Sequence, residues 1–198
     1  MTKTINRLVI ASKNLHKIEE ITRMLASIKI HIHPQPQDLE IEETGCTYLE
    51  NSRLKAITVA KFSGYWTLAD DSGLEVDALG GAPGLYSGRY EDDDESKIAR
   101  VLEELRGSPY RSASLNTFMS LASPKGEIVV ETQGMCKGEI LEARYGIGPG
   151  YDSIFWVKEA NRTYAQMPLH LKQKLGSRGK AARAILSTLK HCLCLSNN

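Results

Sequence analysis

Several features are scarce in this sequence, and each scarcity excludes a class of protein. No apolar run approaches the length of a membrane-spanning helix, so we expect no membrane partner. The net charge of +1 argues against a nucleic-acid partner, because such partners require a strongly positive surface. Cysteines number four among 198 residues, and their irregular spacing predicts free thiols in a reducing cytoplasm rather than a disulfide framework.

What is present is typical of a globular α/β protein. Hydrophobic residues make up 41% of the chain and charged residues 25%, and the length suits a single domain, residues 1–198, of two lobes. The apolar run from Arg7 to Ala11 predicts a buried strand, and an amphipathic helix follows it. Two further strands, at 112–121 and 127–135, flank a Pro-containing turn and predict a hairpin in a second, more antiparallel lobe.

The polar turn after the first strand is a candidate anion site. Ser12 and Asn14 precede the helix, Asn14 as its predicted N-cap, and Lys17 lies in the first helical turn. Amide groups and the positive end of the helix dipole at this position favour a phosphate. The alternative is a capped helix with a solvated lysine. A lysine is unfavourable at a helix N-terminus unless an anion compensates for it, which favours the anion site.

The stretch from Leu68 to Tyr90 places two neighbouring aspartates, Asp70 and Asp71, where we expect a buried strand to end at Ala69 and open into a glycine-rich loop. Catalytic groups are often carried at this position in α/β sheets. Adjacent carboxylates repel each other, so a cation beside them is favourable, and Mg²⁺ prefers oxygen ligands. The alternative is an ordinary Asp-Ser-Gly turn.

Other charged and polar groups have no evident structural role. Glu42 lies in a loop and is a candidate metal ligand, while Asn51 and Lys55 lie one turn apart on a helix predicted from Tyr48 to Ser63. Arg178 lies in the first turn of a final helix that we expect to end near residue 189. Carboxylates on loops and cations at two helix N-termini together suit a polyphosphate bound with a divalent metal.

In its motifs, the chain resembles the inosine triphosphate pyrophosphatases over nearly its full length, from Leu8 to Leu186. The resemblance rests on the following pieces, in this order: Ser12-x-Asn14-x-x-Lys17, Glu42-Glu43-Thr44-Gly45, Glu50-Asn51, Lys55-Ala56, Asp70-Asp71-Ser72-Gly73-Leu74, Pro83-Gly84, Tyr86-Ser87, Arg89-Tyr90, Gly138-Glu139-Ile140, Gly150-Tyr151-Asp152 and Arg178-Gly179-Lys180-Ala181. The pieces from Asp70 to Ser87, around and after the two aspartates, are highly specific. The order and spacing of all the pieces make chance agreement remote.

The resemblance implies an elongated α/β structure with a long mixed sheet, flanking helices, two lobes and an active-site cleft between them. It implies hydrolysis of inosine, deoxyinosine and xanthosine triphosphates to the monophosphate and pyrophosphate, with magnesium as cofactor, in a homodimer. By position, Glu42 and Asp71 are expected to bind Mg²⁺, and Asp71 to accept a proton from water with help from Asp70. The expected substrate contacts are Ser12, Asn14, Lys17, Asn51, Lys55, Ser72, Tyr151, Asp152, Lys172, Ser177 and Arg178.

The chain departs from the family pattern at positions that the resemblance assigns to the base. Pro149 and Ser153 replace a usual Phe and Pro, Gly176-Ser177 replaces Ser-His, and Gln166 replaces a common Glu. Proline has no π face, and serine reaches less far than histidine. We therefore expect weaker discrimination or a shifted base preference, with Tyr151 as a substitute stacking group. The alternatives are a pyrophosphatase of relaxed specificity and a catalytically weak nucleotide-binding paralogue.

Overall fold

The computed structural model describes residues 7–195 and shows a mixed sheet flanked by helices, which confirms the α/β class. Within that range the strands are β1 Arg7–Ile10, β2 His31–Pro34, β3 Trp66–Val76, β4 Ser112–Ala122, β5 Ile128–Ile140, β6 Phe155–Val157 and β7 Arg162–Thr163. The α-helices there are α1 Leu15–Met24, α2 Tyr48–Ser63, α3 Asp94–Glu104, α4 Leu169–Leu175 and α5 Ser177–Leu195.

All seven of these strands belong to one sheet, in the order β2-β1-β3-β4-β5-β6-β7. β1 runs parallel to both of its neighbours, so that Val9 lies opposite His33 on β2 and Thr67 on β3. At the other edge, β6 is antiparallel to β5 and to β7. The parallel part follows from the strand–helix–strand order at the start of the chain, because parallel neighbours need a crossover connection.

The largest difference from the sequence prediction concerns β3, which was expected to end at Ala69. The strand instead continues through Asp70 and Asp71 to Val76. Leu74 and Val76 are fully buried, so the apolar pattern resumes after the acidic pair, and β3 keeps neighbours on both sides in the sheet. The two aspartates are therefore held by a central strand rather than by a loop, and consecutive residues of a strand point to opposite faces.

The chain divides into two compact units. Unit 1 comprises the chain up to Asp71, Phe118–Gln133 and the chain from Ala181 onward. Its sheet carries helices on both faces, and Leu8, Val9 and Ile10 of β1 are accordingly all apolar and buried. One core cluster joins Leu8 and Ile10 to α1 and α5, and the other joins Val9 and Ala11 to α2.

Unit 2 comprises Ser72–Thr117 and Gly134–Lys180. Its core packs the apolar face of α3 against strand residues and the segments around β6, and its members include Leu74, Val101, Ile140 and Phe155. Phe155 and Tyr164 meet edge to face, with ring centroids 6.4 Å apart. Each unit therefore has a hydrophobic core of its own.

The helix ends follow local sequence signals. Asn14 caps α1, as predicted, and Thr47 caps α2 by accepting a hydrogen bond from the backbone N–H of Glu50. Gly64 ends α2 with a φ of 71°, a conformation that favours glycine. The last helix, α5, continues to Leu195 rather than ending near residue 189.

Within residues 7–195, no helix is both long enough and apolar enough to cross a membrane.

Gly176 illustrates how tightly unit 2 is packed. Its backbone is extended, with φ −67° and ψ 151°, so the conformation itself does not require glycine. A Cβ at this position would lie 2.2 Å from the hydroxyl oxygen of Tyr164 and 2.5 Å from the carbonyl oxygen of Lys172. The space beside Gly176 is therefore already filled by neighbouring atoms.

We predict that Gly176→Ala lowers the free energy of unfolding by about 1–3 kcal/mol, because overpacking forces neighbours to move. Gly88→Ala is the matched control in the same unit, since a Cβ there would meet nothing within 4 Å. The control should change stability by less than about 0.5 kcal/mol. Urea unfolding of both variants provides the measurement, and equal stabilities would contradict the packing argument.

Candidate active site

The N-terminus of α1 in unit 1 presents the arrangement predicted for an anion site. The side chain of Asn14 accepts a hydrogen bond from the backbone N–H of Lys17 at 3.2 Å, and Ser12 Oγ accepts one from the backbone N–H of Asn14 at 3.1 Å. The first turn of α1 contains no acidic residue. The positive end of the helix dipole is therefore not offset by a carboxylate within its own first turn.

Lys17 also connects this helix to β3. Its Nζ lies 3.4 Å from Oδ2 of Asp70, whose side chain is 1% exposed. The pair joins the predicted phosphate-binding turn to the first of the two aspartates. A buried carboxylate favours a nearby cation, because burial removes the stabilising contact with water.

Asp71 is held by two side chains of α2. Lys55 Nζ donates to Asp71 Oδ1 at 3.1 Å, and Asn51 Nδ2 donates to Asp71 Oδ2 at 3.2 Å. Lys55 Nζ also donates to Glu43 Oε1 at 2.7 Å. A single lysine ammonium thus lies against two carboxylates that come from different segments of unit 1.

Burial and the charges of neighbouring groups both shift the pKa values of Asp71 and Lys55. Burial raises the pKa of Asp71 above its ordinary value; Lys55 opposes that rise, and the charge of Glu43 adds to it. Burial lowers the pKa of Lys55, but the carboxylates of Asp71, Asp70 and Glu43 together bring it above its ordinary value. The cluster therefore holds Lys55 firmly in its charged form, while the ionised form of Asp71 depends on its cationic neighbours.

The structure brings Glu43, rather than Glu42, into this cluster. Glu42 is exposed, whereas Glu43 is half-buried and paired with Lys55. No local pattern distinguishes two adjacent glutamates in one loop, so the prediction of Glu42 could equally have been Glu43. The signal that could have helped is Gly45, since a Cβ there would lie 2.6 Å from Asn51 Oδ1, which fixes how closely this loop approaches α2.

The carboxylate oxygens around Lys55 suit a divalent cation. Oxygens of Glu43 and Asp71 converge on one ammonium nitrogen, so both carboxylates already lie around a single positive charge. In residues 7–195, no group of three or more His, Cys, Asp or Glu side chains is arranged to hold an ion. Mg²⁺ typically uses one or two carboxylates and takes its remaining ligands from water and substrate phosphates, so a pair of carboxylates fits it.

Unit 2 contains the remaining predicted residues in two groups. Arg178, near the start of α5, donates from Nη2 to Ser72 Oγ at 3.2 Å although 106 residues separate them in sequence. Ser177 Oγ lies 2.8 Å from Thr117 Oγ1, and both residues are buried. Thr117 was not singled out by the sequence, because an isolated threonine in a strand carries no functional signal.

The second group in unit 2 surrounds Asp152. Lys172 Nζ donates to Asp152 Oδ2 at 2.8 Å and lies 4.6 Å from the centre of the Tyr164 ring. Tyr151 belongs to the hydrophobic core and donates its hydroxyl to the backbone oxygen of Ser87 at 3.2 Å. The expected stacking role of Tyr151 is therefore not supported, since its ring is already packed inside unit 2.

The glycine-rich loop before Tyr151 also differs from a base-stacking segment. Pro149 holds the position where the family resemblance expects an aromatic residue, and Ile147 is 98% exposed.

Gln166 accepts a hydrogen bond from the backbone N–H of Thr163 at 3.1 Å and so completes a capping box. Its side-chain oxygen is engaged in local structure, a role that the common glutamate could fill equally well.

Together these features are typical of an α/β enzyme that takes a polyanionic substrate with a divalent cation. The chain belongs to the Ham1 family, whose profile matches residues 8–188. This confirms the resemblance inferred from the motifs.

Individual relatives extend the comparison along nearly the whole chain. A dITP/XTP pyrophosphatase of Prochlorococcus marinus is 44% identical over 192 residues, which cover 96% of each chain. One from a Nostoc species is 44% identical over 190 residues and covers 96% of this chain and 97% of its own. The solved structure of a HAM1 protein from Coxiella burnetii is 35% identical, with a TM-score of 0.84, and covers 93% of this chain and 98% of its own.

Replacing Lys55 by methionine removes the cation beside Asp71 and Glu43. We expect the free energy of unfolding to fall by about 3–5 kcal/mol at neutral pH, because breaking a buried ion pair leaves charges uncompensated. The pKa of Asp71 should rise further, so that the folded state holds a proton that the unfolded state has lost. Stability of the variant should therefore fall as pH rises above about 4, more steeply than in the parent protein.

Urea unfolding between pH 5 and pH 8 measures both effects. The matched control is Lys61→Met, the same change at an exposed position of α2. It should alter stability by less than about 0.5 kcal/mol and leave the pH dependence unchanged. If the two variants behaved alike, the proposed charge balance around Lys55 would be wrong.

Proposed function

We propose that the cluster around Asp71 is the hydrolytic centre of this chain. The chain is a nucleoside triphosphate pyrophosphatase: it converts inosine, deoxyinosine and xanthosine triphosphates to the monophosphate and pyrophosphate, in keeping with its family and with relatives 44% identical to it. The observation that carries the assignment of the centre is a buried Asp71 held by Lys55 and Asn51.

In the proposed reaction, water attacks the α-phosphorus and gives its proton to Asp71. The new P–O bond forms as the bond from the α-phosphorus to the bridging oxygen breaks, and pyrophosphate leaves with the electron pair. Ser12, Asn14 and Lys17 bind the triphosphate at the N-terminus of α1. Lys17 and Lys55 stabilise the negative charge that develops on the leaving group, and Asp70 keeps Lys17 in place.

A divalent metal, which we propose to be Mg²⁺, fits Glu43 and Asp71. Glu43 takes the role that the sequence analysis gave to Glu42, because its carboxylate is the one next to Lys55. Bound there, Mg²⁺ would neutralise phosphate charge and make water more acidic.

The predicted substrate contacts of unit 2 offer polar groups that suit a nucleoside. Ser72 and Arg178 form one polar group, Asp152 and Lys172 another, and Ser177 offers a hydroxyl beside that of Thr117. A hydroxyl can donate or accept a hydrogen bond. It is therefore a less selective partner for a purine than a group that can only donate or only accept. This supports a base preference broader than the family pattern suggests.

We further propose a homodimer in the cytoplasm. The support for the compartment is chemical: Cys46, Cys136 and Cys192 are free thiols, as expected in a reducing environment. The support for the dimer is the family resemblance. Size-exclusion chromatography with light scattering would measure the assembly directly.

Asp71→Asn should lower kcat for deoxyinosine triphosphate by about 10³-fold or more, because the amide cannot accept the proton of the attacking water. Circular dichroism and urea unfolding should show that the variant remains folded. Asp92→Asn, the same change at an exposed position, is the control and should retain full activity. Near-normal turnover by the Asp71 variant would remove this residue from the mechanism.

A substrate panel tests the function as a whole. Pyrophosphate release should be fastest with inosine, deoxyinosine or xanthosine triphosphate and slower with guanosine, adenosine and pyrimidine triphosphates, and EDTA should abolish it. The product must be pyrophosphate rather than orthophosphate, because attack at the α-phosphorus releases the two terminal phosphates together. Absence of pyrophosphate from every triphosphate would identify a binding paralogue instead.

A further inference from the structure

Asn51 is a fully buried polar residue between the two parts of the cluster in unit 1. It is 0% exposed and lies in the first turns of α2. Its Oδ1 accepts a hydrogen bond from the backbone N–H of Gly45 at 2.8 Å, and its Nδ2 donates to Asp71 Oδ2 at 3.2 Å. One side chain therefore connects the loop that carries Glu43 to the strand that carries Asp71.

The orientation of this amide is fixed by chemistry. The backbone N–H of Gly45 can only donate, so it must face the carbonyl oxygen of Asn51. The NH₂ group is then directed to Asp71, whose ionised carboxylate can only accept. Asparagine carries its donor and its acceptor on two separate atoms. A carboxylate has no donor, and a hydroxyl has both on a single oxygen.

Both oxygens of Asp71 are consequently held from α2. Lys55, one turn after Asn51, donates to Oδ1, and Asn51 donates to Oδ2. The loop is fixed equally closely, because a Cβ on Gly45 would meet Asn51 Oδ1 at 2.6 Å and Asn51 N at 2.9 Å. The rotation of the Asp71 carboxylate and the position of the Glu43 loop are thus set by the same helix.

We propose that Asn51 is a positioning residue that sets the geometry of Asp71 and Glu43, and not a substrate contact. Complete burial supports this assignment, because a nucleotide cannot reach an atom that water does not reach. Both polar ends of the amide are already paired within unit 1, with Oδ1 facing Gly45 and Nδ2 directed to Asp71. The inference rests on the proposed function, which makes Asp71 the proton acceptor.

Two variants separate the functions of the two ends of the amide. Asn51→Asp keeps an acceptor for Gly45 but places a carboxylate against Asp71, and Asn51→Ser retains a hydroxyl too short to reach Asp71. With saturating Mg²⁺, we expect both to lower kcat by about 10–100-fold, the usual cost of losing a residue that orients a metal ligand. KM for deoxyinosine triphosphate should change by less than about threefold. A raised KM with unchanged kcat would overturn the proposal, because it would indicate a substrate contact.

Ser52→Ala is the matched control for structural damage. Ser52 is the next residue of α2, is equally buried, and loses a hydrogen bond of 2.7 Å to Ser120 Oγ when replaced. Urea unfolding would compare the stability of all three variants. The control should keep kcat within about twofold of the parent protein, even if its stability falls as much as that of the Asn51 variants. An equal loss of kcat in the control would show that Asn51 is merely structural, against the proposal.

A measurement independent of activity distinguishes this inference from the proposed function. The backbone amide of Gly45 should exchange slowly with deuterium in the parent protein and in Asn51→Asp, but at least tenfold faster in Asn51→Ser. Failure of every triphosphate to react would refute the proposed function alone, and the exchange pattern would still decide whether Asn51 holds this loop. Unchanged exchange in Asn51→Ser would refute the positioning role, whatever the activity.

Discussion

The charge of Lys55 is the constraint on which the cluster in unit 1 depends. Two carboxylates, Glu43 and Asp71, approach each other closely enough to share one ammonium group in a site where burial weakens screening by water. Without a cation, one of them would have to take up a proton or move apart. The same requirement is compatible with a divalent metal bound together with a triphosphate, since these add charges of opposite sign.

Local signals in the sequence were sufficient for much of the fold. Asn14, Thr47 and Gly64 act as helix caps because capping depends on residues within one turn. The apolar run of β1 predicted a buried strand because strands covered on both faces have no polar alternation. The family resemblance carried the enzyme class, since the order of its motifs is a property of the sequence alone.

Long-range contacts could not be read in the same way. Two adjacent aspartates followed by serine and glycine have low strand propensity, yet β3 continues through them because neighbouring strands and the apolar residues beyond compensate. The choice between Glu42 and Glu43 depends on how a loop packs against α2, and the pair of Ser72 and Arg178 spans 106 residues. Such contacts are set by tertiary structure, which no local pattern encodes.

The departures from the family pattern in unit 2 are linked to their neighbours rather than independent. Gly176 is small where the hydroxyl of Tyr164 fills the available space, and Ser177 has Thr117 as a hydroxyl partner at 2.8 Å. A serine restored at position 176 would meet Tyr164, because even its Cβ would lie 2.2 Å from the hydroxyl oxygen of that residue. Restoring the common residue at position 176 would therefore require a change at Tyr164 as well.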